Sequence, residues 1–171
     1  MSVAHVIHHG VDMDGVTGGA ILYKFLKEQN KDVNMIPLNR GWSLTPLDDI
    51  IEGDEVYIVD YSLDMPLMKE LQTRAAKFIW LDHHISAIKD AEKHNFEAEG
   101  IQTIEFSGCE LAWKYCYPEQ PMPFLVKILG RYDVWDQTFA PTTFEVNEYM
   151  YMHLDDLMPG PENYHKWERL S

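Results

Sequence analysis

Two cysteines in 171 residues are too few to staple a fold with disulfides. Cys109 and Cys116 fall in a segment of helical periodicity. Their spacing along a helix is about 10 Å, beyond disulfide reach, so two reduced, partly buried thiols are expected. Long apolar runs are also missing. No stretch reaches the roughly 18 residues that a membrane span needs. The amino terminus, Met1-Ser2-Val3-Ala4-His5, has no basic stretch leading into an apolar one and does not read as a signal peptide. A cytoplasmic chain with no membrane partner is expected. Basic residues are the third shortage, with 14 Lys and Arg against 28 Asp and Glu, a formal charge of −14. Such a chain has no general attraction for nucleic acid, and long nucleic acid is not expected as a partner. The acidity suits a solvated surface, carboxylates that hold cations, or both.

The remaining composition is that of an ordinary globular protein, 46% hydrophobic and 25% charged. The length suits one domain with a real core. Short apolar runs alternate with helical patterns over the first 110 or so residues. Strands are expected at residues 3–8, 33–38, 55–60 and 77–82, with a last, edge-like strand at 102–106. Helices are expected from Val16 to about Gln29, over a short piece at 47–51, at 65–74 with Pro66 in the first turn, and at 85–94. This alternation predicts an α/β fold. A mostly parallel sheet of about five strands would be covered by helices on both faces, with right-handed crossovers.

After Ser107 the pattern turns helical, at 109–117, 123–131 and 142–157, and Pro159-Gly160-Pro161 breaks the last. The final ten residues read as a short tail or an interface element. One domain over 1–171 is expected, with an α/β core at about 3–140 and a helical extension at 141–171.

Ligands of open parallel sheets bind beyond the carboxyl ends of the strands. Strand one runs into His8-His9-Gly10-Val11-Asp12-Met13-Asp14-Gly15, strand three into Asp60-Tyr61-Ser62, and strand four into Asp82-His83-His84. Each piece alone has an ordinary reading. An Asp at a strand end commonly caps a helix, a His pair is commonly surface or core, and Asp12-Met13-Asp14-Gly15 alone resembles a turn. Three such ends on one sheet edge point instead to a metal site. Carboxylates and neutral imidazoles suit manganese, magnesium, iron or zinc.

The same residues resemble the motifs of the DHH phosphoesterases. Asp82-His83-His84 after the apolar run 78–81 is similar to the signature that names the family. His9-Gly10-Val11-Asp12-Met13-Asp14-Gly15 resembles its first motif, Val59-Asp60 its second, and Gly130-Arg131-Tyr132-Asp133-Val134-Trp135 its fourth. The resemblance covers roughly residues 3 to 140. It implies a Rossmann-like, three-layer domain carrying two divalent ions. Mn²⁺ is the first expectation, with Mg²⁺, Fe²⁺ or Co²⁺ as alternatives. It implies His9, Asp12 and Asp60 around one ion, and Asp14, Asp60, His83 and Asp133 around the other, with Asp60 shared. His84 would contact phosphate or leaving group. Arg131 is a candidate phosphate contact, with a surface ion pair as its other reading. His8 and His9 both suit the first position. His9 matches the oligoribonuclease-like branch and is preferred, while His8 has the spacing of the pyrophosphatase branch.

The resemblance implies a divalent-metal-dependent hydrolase in which a metal-activated water attacks phosphorus, Asp14 or Asp60 orients that water, and His84 stabilises charge. The substrate would be small: a short oligonucleotide, a linear or cyclic dinucleotide, or a condensed phosphate. Family members usually carry a second, substrate-gripping domain, for which these residues show no counterpart. The alternative expectation is therefore a weakly catalytic metal- or nucleotide-binding module completed by a homodimer mate or a separate partner. Tyr149, Met150, Tyr151, Met152 and Leu154 would make that contact or pack back on the sheet. The glycines around residue 16 serve either phosphate approach or helix–sheet packing. Gly41-Trp42 and Trp135 stand in or near loops, where base stacking competes with core or hinge packing.

Overall fold

The computed structural model describes residues 2–168. Five strands form one all-parallel sheet in the order β2-β1-β3-β4-β5, with β1 at Val3–His9, β2 at Asp32–Leu38, β3 at Glu55–Val59, β4 at Lys77–Asp82 and β5 at Glu99–Gln102. Their continuous apolar runs suit strands covered on both faces. On one face α1 (Met13–Glu28) packs with α4 (Gly108–Cys116) and α5 (Phe124–Asp133), around Val6, Ile21, Leu81, Ala112 and Leu129. On the other, α2 (Met65–Arg74) and α3 (Ile85–Lys93) bury Ile58, Met68 and Trp80. The expected three-layer α/β architecture is what the chain adopts.

The chain leaves β1 in one direction along the sheet to form β2, and β3 and β4 build out in the other. The carboxyl ends of β1 and β3 therefore flank the point where strand order reverses, which is where open sheets of this order leave a ligand crevice.

Four elements differ from expectation. The edge strand lies at Glu99–Gln102 and pairs with β4 alone, and residues 103–106 form a loop. None of its four residues is fully buried, and Glu99 and Gly100 give a weak strand signal. Helix α1 begins at Met13, not near Val16, because Asp12 caps it, accepting from the Gly15 amide at 2.8 Å. Glycines at 15, 18 and 19 hide that first turn from a propensity reading. The long late helix divides at His153 into α6 (Thr142–Met152) and α7 (Leu154–Leu157). The short piece expected at 47–51 is a 3₁₀ turn at Thr45–Asp49.

The late helices pack back in part. Met150 and Leu154 lie against the core, while Tyr149, Tyr151 and Met152 stay exposed. A final helix α8 (Tyr164–Trp167) buries Trp167 and sets Tyr164 edge-on to Tyr23. Residues 169–171 of the expected tail lie outside the described residues. Both cysteines are buried and free. Among the described residues no helix is long and apolar enough to cross a membrane.

Gly15 ties the fold to the site. A β-carbon there would overlap the carbonyl oxygen of His9, so α1 can start hard against the end of β1 only with glycine. The glycine serves packing. Gly15→Ala should cost about 1–3 kcal/mol through overpacking and should weaken divalent-cation uptake by displacing Asp12 and Asp14. Denaturant unfolding and Mn²⁺ calorimetry of the variant measure the two effects.

Candidate metal centre

Asp60 is the first residue beyond β3. Its amide extends the ladder to the Leu81 carbonyl at 2.9 Å, and its backbone then turns left-handed at φ 54°. Only the short polar side chains tolerate that region well outside glycine. The turn leaves the carboxylate 2% exposed with an imidazole on each oxygen. His83 Nε2 lies 3.0 Å from Oδ1, and His9 Nδ1 lies 3.7 Å from Oδ2.

Two groups of potential ligand atoms meet at this residue. His9, Asp12 and Asp60 form one, with their ligand atoms within 4.8 Å of one another. Asp14, His83 and Asp133 form another, equally close-set, which reaches Asp60 through His83. In the second group a single nitrogen, His83 Nε2, faces Asp60, Asp133 at 3.2 Å and Asp14 at 3.6 Å. A third overlapping set joins Asp60, His83 and His84.

The residues around the cluster orient it. Asp12 Oδ1 caps α1 while Oδ2 lies against His9, so capping and cluster membership coexist. Asp14 accepts the Gly108 amide at 2.6 Å on one oxygen and the Cys109 amide at 2.9 Å on the other. These are the first amides of α4, a favourable seat for a carboxylate. Gly108 permits that approach, since a β-carbon would overlap Asp60 and come within 3.0 Å of Asp14 Oδ2. The helix start is itself pinned by a Ser107–Glu110 capping box. Asp82 is fully buried, and its Oδ1 lies 2.7 Å from His84 Nδ1 and accepts the amides of His83 and His84. Asn39 Oδ1 lies 3.3 Å from His9 Nε2 and holds that proton, leaving Nδ1 free to ligate.

His8 stands apart. It is fully buried against Gly19, with Nδ1 on the His9 carbonyl, and it belongs to none of the three ligand groups. Arg131 is not brought to the cluster. Its guanidinium forms an ion pair with the buried Glu110 and lies 3.5 Å from the more exposed Asp136, so the ion-pair reading holds with a partner that is buried and not at the surface. The cation beside the cluster is Arg40, which lines a cavity of about 320 Å³ with Asp60, Ser62, His84 and Ser86. Sequence reasoning missed Asn39 and Arg40, and it placed Asp82 at the strand end without giving it the role of holding His84. Asn39 and Arg40 follow directly on β2, so the strand-end rule that found the other residues would have found them.

The cluster is crowded with negative charge. Burial pushes Asp14 well above the usual carboxylate range, and Asp60 and Asp133 add to it. Burial and Asp60 raise Asp133 to about 6. Burial opposes charge on both histidines, but the surrounding carboxylates outweigh it, raising His9 to about 10 and His83 to about 9. Burial also works against Asp60, yet the two imidazoles hold its carboxyl below the ordinary value. Protonated imidazoles thus do here what a cation would do. The fit to divalent ions rests on the donor set and on His9 Nδ1. That nitrogen is buried and faces the carboxylates of Asp12 and Asp60, the oxygen donors with which it would share an ion.

A family model described as the DHH family, N-terminal domain, matches residues 2–131. The chain belongs to the DHH family. An uncharacterized protein, R106, of Acanthamoeba polyphaga mimivirus is 31% identical over 157 residues, covering 85% of this chain and 36% of that protein. Among solved structures, an exopolyphosphatase-related protein from Bacteroides fragilis matches with a TM-score of 0.50 at 16% identity, over 99% of this chain and 56% of that one. At that identity the likeness shows the fold alone. This DHH chain spans about a third of the viral relative and just over half of the structural neighbour.

The raised histidine values fix a sign for stability. The folded chain holds these protons more tightly than the unfolded one, so their contribution is complete below about 6.5 and is lost as pH rises toward about 10. Asp14 and Asp133 act in the same direction. The melting temperature of the chelated protein should fall across that window, and saturating Mn²⁺ should flatten the profile. Thermal melts from pH 6.5 to 10, with chelator and with Mn²⁺, check this. A flat profile with chelator would contradict it.

Proposed function

We propose that this chain is a phosphoesterase domain using two divalent ions, Mn²⁺ first, to hydrolyse a phosphodiester or phosphoanhydride in a small substrate. Asp60 carries the reading, with each carboxylate oxygen facing an imidazole of a different ligand group. His9, Asp12 and Asp60 would hold one ion, and Asp14, Asp60, His83 and Asp133 the other. The family match and the fold of the exopolyphosphatase-related neighbour support metal-dependent phosphoester chemistry in general.

Ions bound there would supply positive charge for the phosphoryl oxygens and acidify a water. The protein's own part is orientation. Asp14 or Asp60 would align the attacking water. His84 is half-exposed in the Arg40 cavity, with Nδ1 held by Asp82 and Nε2 left for a phosphoryl or leaving oxygen. Arg40 and the Ser62 and Ser86 hydroxyls offer positive charge and donors to a phosphate in that cavity. The buried thiols suit a reducing, cytoplasmic setting.

A second reading is a weakly catalytic module completed by another domain or copy. One observation favours it: among the described residues, Arg40 is the one lysine or arginine lining either cavity that borders the cluster.

Turnover of bis-p-nitrophenyl phosphate and of a short RNA, with Mn²⁺, with Mg²⁺ and with chelator, separates the readings. Mn²⁺-dependent hydrolysis is expected, and Asp60→Asn should reduce it by at least roughly a hundredfold without unfolding the chain. Mn²⁺ uptake with no turnover would support the module instead. Asp82→Asn should lower turnover roughly tenfold to a hundredfold by releasing His84, while Mn²⁺ calorimetry stays close to that of the parent chain.

A further inference from the structure

The candidate metal centre opens on two sides, and the sides differ in chemistry. The Arg40 side is polar. The other is a cavity of about 530 Å³ between the start of α1, the end of α5 and one face of α6. Its floor is Asp12, Asp14 and Asp133, three of the candidate ligands, so it is continuous with the cluster. No lysine, arginine or histidine lines it, and Glu148 stands on its α6 wall. A chain of further phosphates would meet a carboxylate there and no cation.

What the wall does offer is aromatic surface. Phe144 and Tyr151 are 42% and 50% exposed, both on the cavity. Tyr132 is fixed between neighbours, stacked on the exposed ring of Trp135 at 6.4 Å and edge-on to Phe144 at 5.8 Å. Rings held in this way cost little ordering when a flat ligand arrives. Asn147 adds an amide that both donates and accepts, and Glu148 adds an acceptor, which matches the donor edge of a heterocycle. The volume falls in the ordinary range for a small-molecule site.

We infer that this cavity takes a nucleobase, so that the scissile phosphate belongs to a nucleotide or short oligonucleotide and not to a condensed inorganic phosphate. The inference rests on the phosphoesterase reading and narrows its substrate. The base stacks on the Tyr132, Phe144 and Tyr151 wall, its phosphate lies at the metal cluster, and any further phosphate points toward Arg40.

Calorimetry on the Mn²⁺-loaded 171-residue chain, titrated with adenosine 5′-monophosphate and separately with inorganic phosphate, tests this. The nucleotide should bind at least roughly tenfold more tightly, the scale of base–aromatic stacking. Tyr151→Ala should reduce that ratio and Tyr151→Phe, which keeps the ring, should restore it, with Mn²⁺ uptake as the check on folding. Equal affinities overturn the inference, as does a nucleotide advantage that survives both Tyr151→Ala and Phe144→Ala. Failure to take up Mn²⁺ sinks the metal-centre reading and this inference with it. Mn²⁺ uptake and phosphodiester turnover without nucleotide preference sink the nucleobase pocket alone.

Discussion

Four carboxylates converge on two imidazoles at one edge of the sheet, and the rest of the molecule answers to that crowding. Asp60 lies at its centre, buried and turned into a left-handed backbone conformation that few residues accept. Like charges this close do not coexist without a proton or a cation between them. In the metal-free chain the protons on His9 and His83, and the raised values of Asp14 and Asp133, supply the neutralisation. Divalent ions would replace those protons, so binding, folding and pH are linked through the same atoms.

The scaffold holds this arrangement by bringing fixed backbone dipoles and close-packed helices against it. Helix α4 aims two amides at Asp14, and its approach depends on Gly108. Helix α1 begins one turn after β1 because Gly15 lets it touch the strand end. Asp82 and Asn39 take up the spare nitrogens of His84 and His9, so each ring presents a defined atom to the site. These supports sit on strands and helix starts, where packing limits drift.

The two cavities beside the cluster divide its candidate ligands between them, His9, Asp60 and His84 on one side and Asp12, Asp14 and Asp133 on the other. One carries Arg40, hydroxyls and the exposed edge of His84; the other carries three aromatic rings and a carboxylate. Phosphate chemistry favours the first and a flat apolar group the second. A site with this polarity suits a ligand with one charged end and one heterocyclic end.

Much of the fold was legible because its strands are apolar runs that stop abruptly at Asp or His, and because parallel order places such ends together. Residues 65–74 and 77–82 needed no tertiary help. The edge strand and the true start of α1 did, since Glu99-Gly100 and Asp12-Met13-Asp14-Gly15 carry weak local preferences that the β4 ladder and the Asp12 cap override. Arg131 shows the limit of reading roles from spacing. Two residues from Asp133 in sequence, it turns on its helix toward Glu110 and Asp136. The sequence by itself determined the α/β class, the family motifs and the ligand chemistry, because composition, period and motif spacing are local. Only the tertiary structure decided that His9 and not His8 faces the carboxylates, that Arg40 is the neighbouring cation, and that α6 walls an aromatic cavity. Those facts depend on which face of a strand or helix meets the site, and packing sets that face.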